Sequence, residues 1–354
     1  MTGPDLTASG STRVVRGGAS RSRRRRGERT MVPDAEFTSY YGRPIVKASP
    51  WEADIPAYLF LGGLAAGSSL LGAGSDLTGR PALRRSSRVA ALGAITVSFA
   101  ALVHDLGKPS RFYHMLRVAK PTSPMSVGTW ILTAYAPMAG LAAASEARQL
   151  LPPRFADGPV GSLLTGAGRA GGLLAAAVAP AVASYTAVLL TDTATPAWHD
   201  ARHQLPFVFV GSAGAAAGGL GMMTGSLADA GPARRMAVGG AALELAVTAR
   251  METAMGLSAE QLHVGKAGRY LTAARALTAG GGLLAAAWGR RSRAASVLAG
   301  AALVAGSACT RFGIFHAGQQ SARDPRYTVV PQRRRVDERR RHDERRRVDE
   351  GRSG

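Results

Sequence analysis

Residues 55–71 read Ile-Pro-Ala-Tyr-Leu-Phe-Leu-Gly-Gly-Leu-Ala-Ala-Gly-Ser-Ser-Leu-Leu, 17 residues without a charged side chain. A helix of about 20 mostly apolar residues crosses the hydrocarbon core of a bilayer. The stretch therefore reads as most of a membrane span, and further runs of the same character follow it. The expected spans lie near Ile55–Leu77, Val89–Leu106, Ser126–Ser145, Ala170–Leu190, Leu205–Leu227, Ala237–Met255, Leu271–Gly289 and Ala294–His316. All are rich in Ala and Gly, and small residues let helix backbones approach closely, which suits a bundle without a large lumen. The expected fold class is all-α, a polytopic membrane bundle of about eight transmembrane helices. The sixth and seventh spans are the least regular, because Glu244, Arg250, Glu252 and Arg275 interrupt them.

Outward from the spans the composition changes. Residues 1–47 hold Arg, Ser, Gly and Pro with no apolar period, including the run Arg23–Arg26, and read as a disordered basic arm. No apolar region follows that run closely, so it does not read as a secretory signal. The bundle occupies residues 48–332. Residues 333–354 form a charged low-complexity tail, in which Arg-Arg-Arg-x-Asp-Glu recurs at 333–338, 339–344 and 345–350. Mixed-sign charge without an apolar stripe builds no core, so this tail is either solvated and disordered or a lone polar helix.

The formal net charge is +21. In a soluble chain that would raise the question of nucleic acid. Here the arginines concentrate at the two ends and in short loops, where they meet lipid headgroups and set orientation, and no nucleic-acid partner is expected. An even number of spans puts both tails on one side, and their arginines argue for the cytoplasm. The single cysteine, Cys309, lies in an apolar run. One thiol makes no internal disulfide, and iron–sulfur clusters and zinc sites need several ligands, so Cys309 reads as a packing residue.

Threading the spans alternately sorts the polar residues by side. One face collects Trp51–Tyr58, His104–Pro124, Thr191–Pro206, Met255–Arg269 and Arg311–Gln332, which hold most of the His, Trp, Tyr and acidic residues. The other collects 78–88, 146–169, 228–236 and 290–293, which are Arg, Gly, Pro and little else. The tail side is thus the expected working side. Ionisable residues within a span are costly and mark function by default. His104 and Asp105 end the second span and are candidates for a proton relay, Asp105 alternatively pairing at the interface with Lys108 or Arg111. Glu244 sits near the middle of the sixth span, as a protonated structural group or as part of a proton path.

Every histidine (His104, His114, His199, His203, His263, His316, His342) falls at a span end, in a loop or in the tail. A b-type haem in a bundle takes inward-facing ligands, so no haem is expected. There is no P-loop, no CxxC and no GxGxxG following a strand. With no iron–sulfur cluster of its own, the chain would do redox work only through a diffusible carrier.

Several segments resemble the NrfD/polysulfide reductase membrane subunits. These are Trp51-Glu-Ala-Asp-Ile-Pro-Ala-Tyr-Leu-Phe-Leu-Gly-Gly-Leu-Ala-Ala-Gly67, Asp105-Leu-Gly-Lys-Pro-Ser-Arg-Phe112, Pro121-Thr-Ser-Pro-Met-Ser-Val-Gly-Thr-Trp130, Ser184-Tyr-Thr-Ala-Val-Leu-Leu190 with Pro196-Ala-Trp198, and Ala317-Gly-Gln-Gln through Gln332. They cover about residues 45–332 in the family's order and spacing. The resemblance implies an eight-helix, haem-free subunit of the bacterial plasma membrane that binds menaquinone or ubiquinone. It would anchor a four-cluster ferredoxin-like iron–sulfur subunit, itself serving a molybdopterin catalytic subunit, as in formate dehydrogenase-like or polysulfide reductase-like complexes. In the polysulfide reductase branch the ring is contacted by a Tyr in the fourth span and by Asn and His in the first. The Tyr matches Tyr185; the Asn position falls on Ile55 and the His position on Tyr58, in a chain that contains no asparagine. Tyr58 and Tyr185 are therefore the expected quinone contacts, with Trp51 and Asp105 beside them, and the residue reading adds His104, Asp105 and Glu244 as the expected proton relay. Two other readings stand beside this one: a proton-translocating or secondary transporter module, and a passive anchor without a quinone site.

Overall fold

The computed structural model describes residues 44–352, and among them every regular element is a helix. Eight long helices form the bundle: α1 (Asp54–Leu77), α2 (Pro81–Asp105), α3 (Pro124–Glu146), α4 (Pro159–Thr191), α5 (Leu205–Thr224), α6 (Gly231–Ala254), α7 (Gly265–Ala287) and α8 (Arg293–Arg323). A ninth, α9 (Arg326–Arg352), follows. The basic arm expected over residues 1–47 lies outside the described residues, apart from 44–47.

By length and composition α1, α2, α3, α4, α5 and α8 are able to cross a membrane. Helices α6 and α7 have the length, at 24 and 23 residues, but carry the charges that interrupt the sequence pattern. Two of those charges meet: the Arg275 guanidinium of α7 pairs with the Glu252 carboxylate of α6. Pairing offsets part of the cost of holding these two charges in the bundle, and both stay partly exposed.

Several helices outrun their expected spans. Helix α2 begins at Pro81 instead of Val89, α4 at Pro159 instead of Ala170, and α8 continues to Arg323 instead of stopping at His316. Hydropathy falls where charge begins, whereas backbone hydrogen bonding continues into the headgroup zone. Proline at the first helical position starts α2, α3 and α4, where its missing N–H costs nothing. At α3 the Pro121-Thr-Ser-Pro124 segment does more, since Ser123 caps the helix by accepting from the Ser126 amide. The Ser126 hydroxyl in turn takes the Lys120 amide and donates to the Val118 carbonyl.

The helices pair as antiparallel hairpins, α1 with α2, α3 with α4, α5 with α6 and α7 with α8. The first two hairpins make one half and the last two the other, joined where α1 and α4 meet α5 and where α1 meets α8. Helices α1 and α5 are the centre, with 78% and 72% of their apolar windows buried against 33% for α2. Their approach depends on Gly67, where a Cβ would stand 2.6 Å from the Ala213 carbonyl oxygen.

The C-terminal stretch, which the sequence left as a disordered tail or a lone polar helix, is the helix. Its described side chains beyond Gln332 are exposed, in keeping with a segment that builds no core.

Candidate functional site

The segments threaded to the working side meet at one end of the bundle. Trp51 packs on Trp198, with ring centroids 6.0 Å apart, and Trp198 packs on Phe315 at 5.8 Å. The Trp198 indole N–H donates to the Ile314 carbonyl at 2.9 Å. The Gln319 amide donates to the carbonyls of Ser49 and Trp51 at 2.9 and 3.3 Å. These contacts fasten the segment before α1 to the last turns of α8. Close by, Asp200 accepts from Ser258 at 2.6 Å, and Glu260 takes both the Arg326 guanidinium and the Tyr327 hydroxyl. Burial is the main influence on the Tyr327 phenol and pushes its pKa up from the ordinary value.

Below this surface lie two buried phenols, Tyr58 of α1 and Tyr185 of α4, hydrogen-bonded to each other. Tyr58 stands one helical turn inside Asp54, so the two side chains lie on the same face of α1. Asp54 in turn meets His104 Nδ1 at 2.8 Å, at the end of α2. The Tyr185 ring lies against Gly128 of α3, where a Cβ would stand 2.3 Å from the ring edge. Glycine is what lets α3 close over the phenol. Ile55, at the position where the resemblance expects Asn, is buried in the same apolar cluster as both tyrosines.

The site residues expected from sequence thus divide. Tyr58 and Tyr185 are brought together, while the exposed His104 meets Asp54, which stands one turn before Tyr58 and is a residue sequence reasoning did not single out. Its only signal was position, four residues before Tyr58 in the first turn of α1. Asp105 faces the acidic entry to α1 and is half-buried there, near Glu52 and Asp54. Trp51 turns to Trp198 and α8. Glu244 is buried in the other half, on α6, where it accepts a hydrogen bond from Thr310 of α8 at 2.5 Å.

Two features run against the sequence reading. Arg311, expected at the working face, is fully buried: it donates to the Phe209 carbonyl at 2.9 Å, and its guanidinium lies 3.7 Å from the centroid of the Phe209 ring. One turn and a half before His316, it looked able to reach the interface, but α8 continues to Arg323 and leaves it inside. Nor is the opposite face only Arg, Gly and Pro. Asp76, Arg84, Arg88 and Glu146 form an ion cluster there, with Arg88 2.9 Å and Arg84 2.8 Å from Glu146. Its acids end α1 and α3, so the sequence showed them as isolated charges.

Residues 45–322 match the family described as "Polysulphide reductase, NrfD", and the chain belongs to it. No curated protein matches the chain. A multi-pass membrane protein of this family, it has Trp51, Trp198 and Gln319 interlocked at one end of the bundle.

Proposed function

We propose that the chain is a haem-free, quinone-reactive membrane subunit of an oxidoreductase complex of the formate dehydrogenase-like or polysulfide reductase-like kind. The observation that carries this reading is the buried Tyr58–Tyr185 pair, set one turn beneath the Asp54–His104 contact. Two linked phenols from different helices suit a quinone, because one donates to the other and leaves a second O–H for a ring oxygen. The apolar wall from Ile55 suits a flat ring. A bound menaquinone or ubiquinone supplies two-electron, two-proton redox chemistry. Tyr58 and Tyr185 bind and orient it, while Asp54 and His104, with Asp105 beside them, carry protons between water and the phenol of Tyr58.

Over the same face the chain anchors an iron–sulfur subunit of the four-cluster ferredoxin-like type, which links it to a molybdopterin catalytic subunit. Support comes from the concentration of exposed polar groups around Trp51, Asp200 and Glu260, beside α9. Both termini lie on the cytoplasmic side of a bacterial plasma membrane. An even number of long helices brings residues 44–50 and α9 to one side, and both flanks are Arg-rich.

The test has two arms. The tagged chain is purified from native membranes in mild detergent, and a co-purifying iron–sulfur protein with a molybdopterin enzyme is the expected result. Quinone-coupled turnover of that complex is then measured with Tyr185→Phe, which is expected to lower it at least tenfold. A complex that assembles but turns over normally in the variant identifies a passive anchor. A chain that purifies alone, folded and free of iron and molybdenum, overturns the oxidoreductase reading.

A further inference from the structure

The second half of the bundle holds a carboxyl for which the quinone reading has no use. Glu244 is 3% exposed, and while one oxygen accepts from Thr310, the other, Oε2, has no hydrogen-bond partner. The hydroxyl oxygen of Thr278 on α7 is likewise buried and unpartnered. Both residues line one narrow cavity of ≈ 20 Å³. That is room for about one water molecule, and a buried water is stable when it has two or more polar partners. A water held between Glu244 and Thr278 satisfies both orphaned groups.

The cavity leads toward the Trp51 face. Glu244, Thr248 and Glu252 recur every four residues on α6 and all line it, as do Arg275 and Thr278 of α7. Eight residues of helix rise about 12 Å, so Glu252 lies that much nearer the surface. There it pairs with Arg275, and the half-exposed imidazole of His263 comes within 3.8 Å of it. The water-sized space, the Thr248 hydroxyl and the Glu252 carboxylate thus mark a polar line between the surface and Glu244. At its inner end the groups around Glu244 are the hydroxyls of Thr310 on α8 and Ser212 on α5, and the Arg311 cation. Ser212 is itself engaged with Ser307 at 2.8 Å, and Arg311 is packed on Phe209. The described contacts continue the line no further, so it is open on one side.

We propose that Glu244 is a proton-binding site loaded from the Trp51 face, with the Glu252–Arg275 ion pair as its gate. A proton from solvent water passes by His263 and Glu252 to the cavity water and then to Glu244 Oε2, converting carboxylate to carboxylic acid. In the deprotonated form the buried Arg311 cation offsets the negative charge. The site stands independently of quinone binding.

Infrared spectra of the purified full-length protein, recorded across pH in H2O and D2O, test it. The expected result is a protonated-carboxyl carbonyl band that titrates, shifts on deuteration, and is missing from Glu244→Gln. Glu252→Gln and Thr278→Val retain the band but exchange it at least tenfold more slowly. These two variants report on the wild-type carboxyl, so the test survives poor folding of Glu244→Gln. The absence of a titrating band, its persistence in a folded Glu244→Gln, or wild-type exchange in both track variants would overturn the proposal.

Discussion

The hydroxyl of Tyr58 on α1 and that of Tyr185 on α4 are hydrogen-bonded to each other inside the first half of the bundle. Each phenol therefore depends on the other, and a variant of either changes the environment of both. Tyr58→Phe and Tyr185→Phe are each expected to lower quinone-coupled turnover at least tenfold, and the double variant by little more than either alone. Steady-state assay of the intact complex checks this. Multiplicative losses would mean that the two hydroxyls act separately.

Gly128 is the point where α3 meets the Tyr185 ring. Gly128→Ala adds one methyl where no space exists and is expected to destabilise the protein by about 1–3 kcal/mol, the usual range for overpacking. Thermal unfolding in detergent measures it. Gly74→Ala, on the same bundle but with open space at its Cβ position, serves as the control and is expected to leave the transition unchanged or raise it slightly.

On the opposite face Arg88 and Glu146 are both buried and paired. Glu146 is also held by Arg84 at 2.8 Å, so Arg88→Met strips the buried carboxylate of one of its two partners and is expected to cost about 1–3 kcal/mol. Arg88→Met combined with Glu146→Leu should recover much of that loss, as read from the same unfolding transition. A double variant as unstable as the sum of its parts would show that the pair contributes more than charge balance.

The Gln319 amide holds the backbone carbonyls of Ser49 and Trp51. Gln319→Leu removes both hydrogen bonds, which are worth about 1 kcal/mol net apiece. Opening of the segment before α1 should then become roughly ten- to thirtyfold more frequent. Limited trypsinolysis at Lys47 reads this directly, with faster cleavage in the variant and an unchanged rate at Arg333.

The architecture was legible because apolar length is a strong signal. All eight long helices were placed from it, including α6 and α7, where Glu252 and Arg275 pair across the helix boundary. Helix ends were less legible, as at Pro159 and Arg323, because hydropathy marks the lipid core and not the limit of backbone hydrogen bonding. Tyr58 and Tyr185 were singled out through the family resemblance, since two tyrosines 127 residues apart carry no local pattern. Asp54, Arg311 and the Asp76–Arg84–Arg88–Glu146 cluster escaped for a common reason. Each depends on which neighbour a charged side chain meets across the bundle, and spacing along one chain does not record that.

The central placement of α1 has a consequence for biogenesis. It is the first bundle helix to leave the ribosome, yet its packing surface is completed by α5, which begins about 130 residues later. At ordinary synthesis rates of 5–20 residues per second, the small-residue face around Gly67 waits in the bilayer for roughly ten seconds. During that interval it is open to lipid, to insertion factors or to another nascent chain. Chains truncated before Leu205 keep that face uncovered permanently.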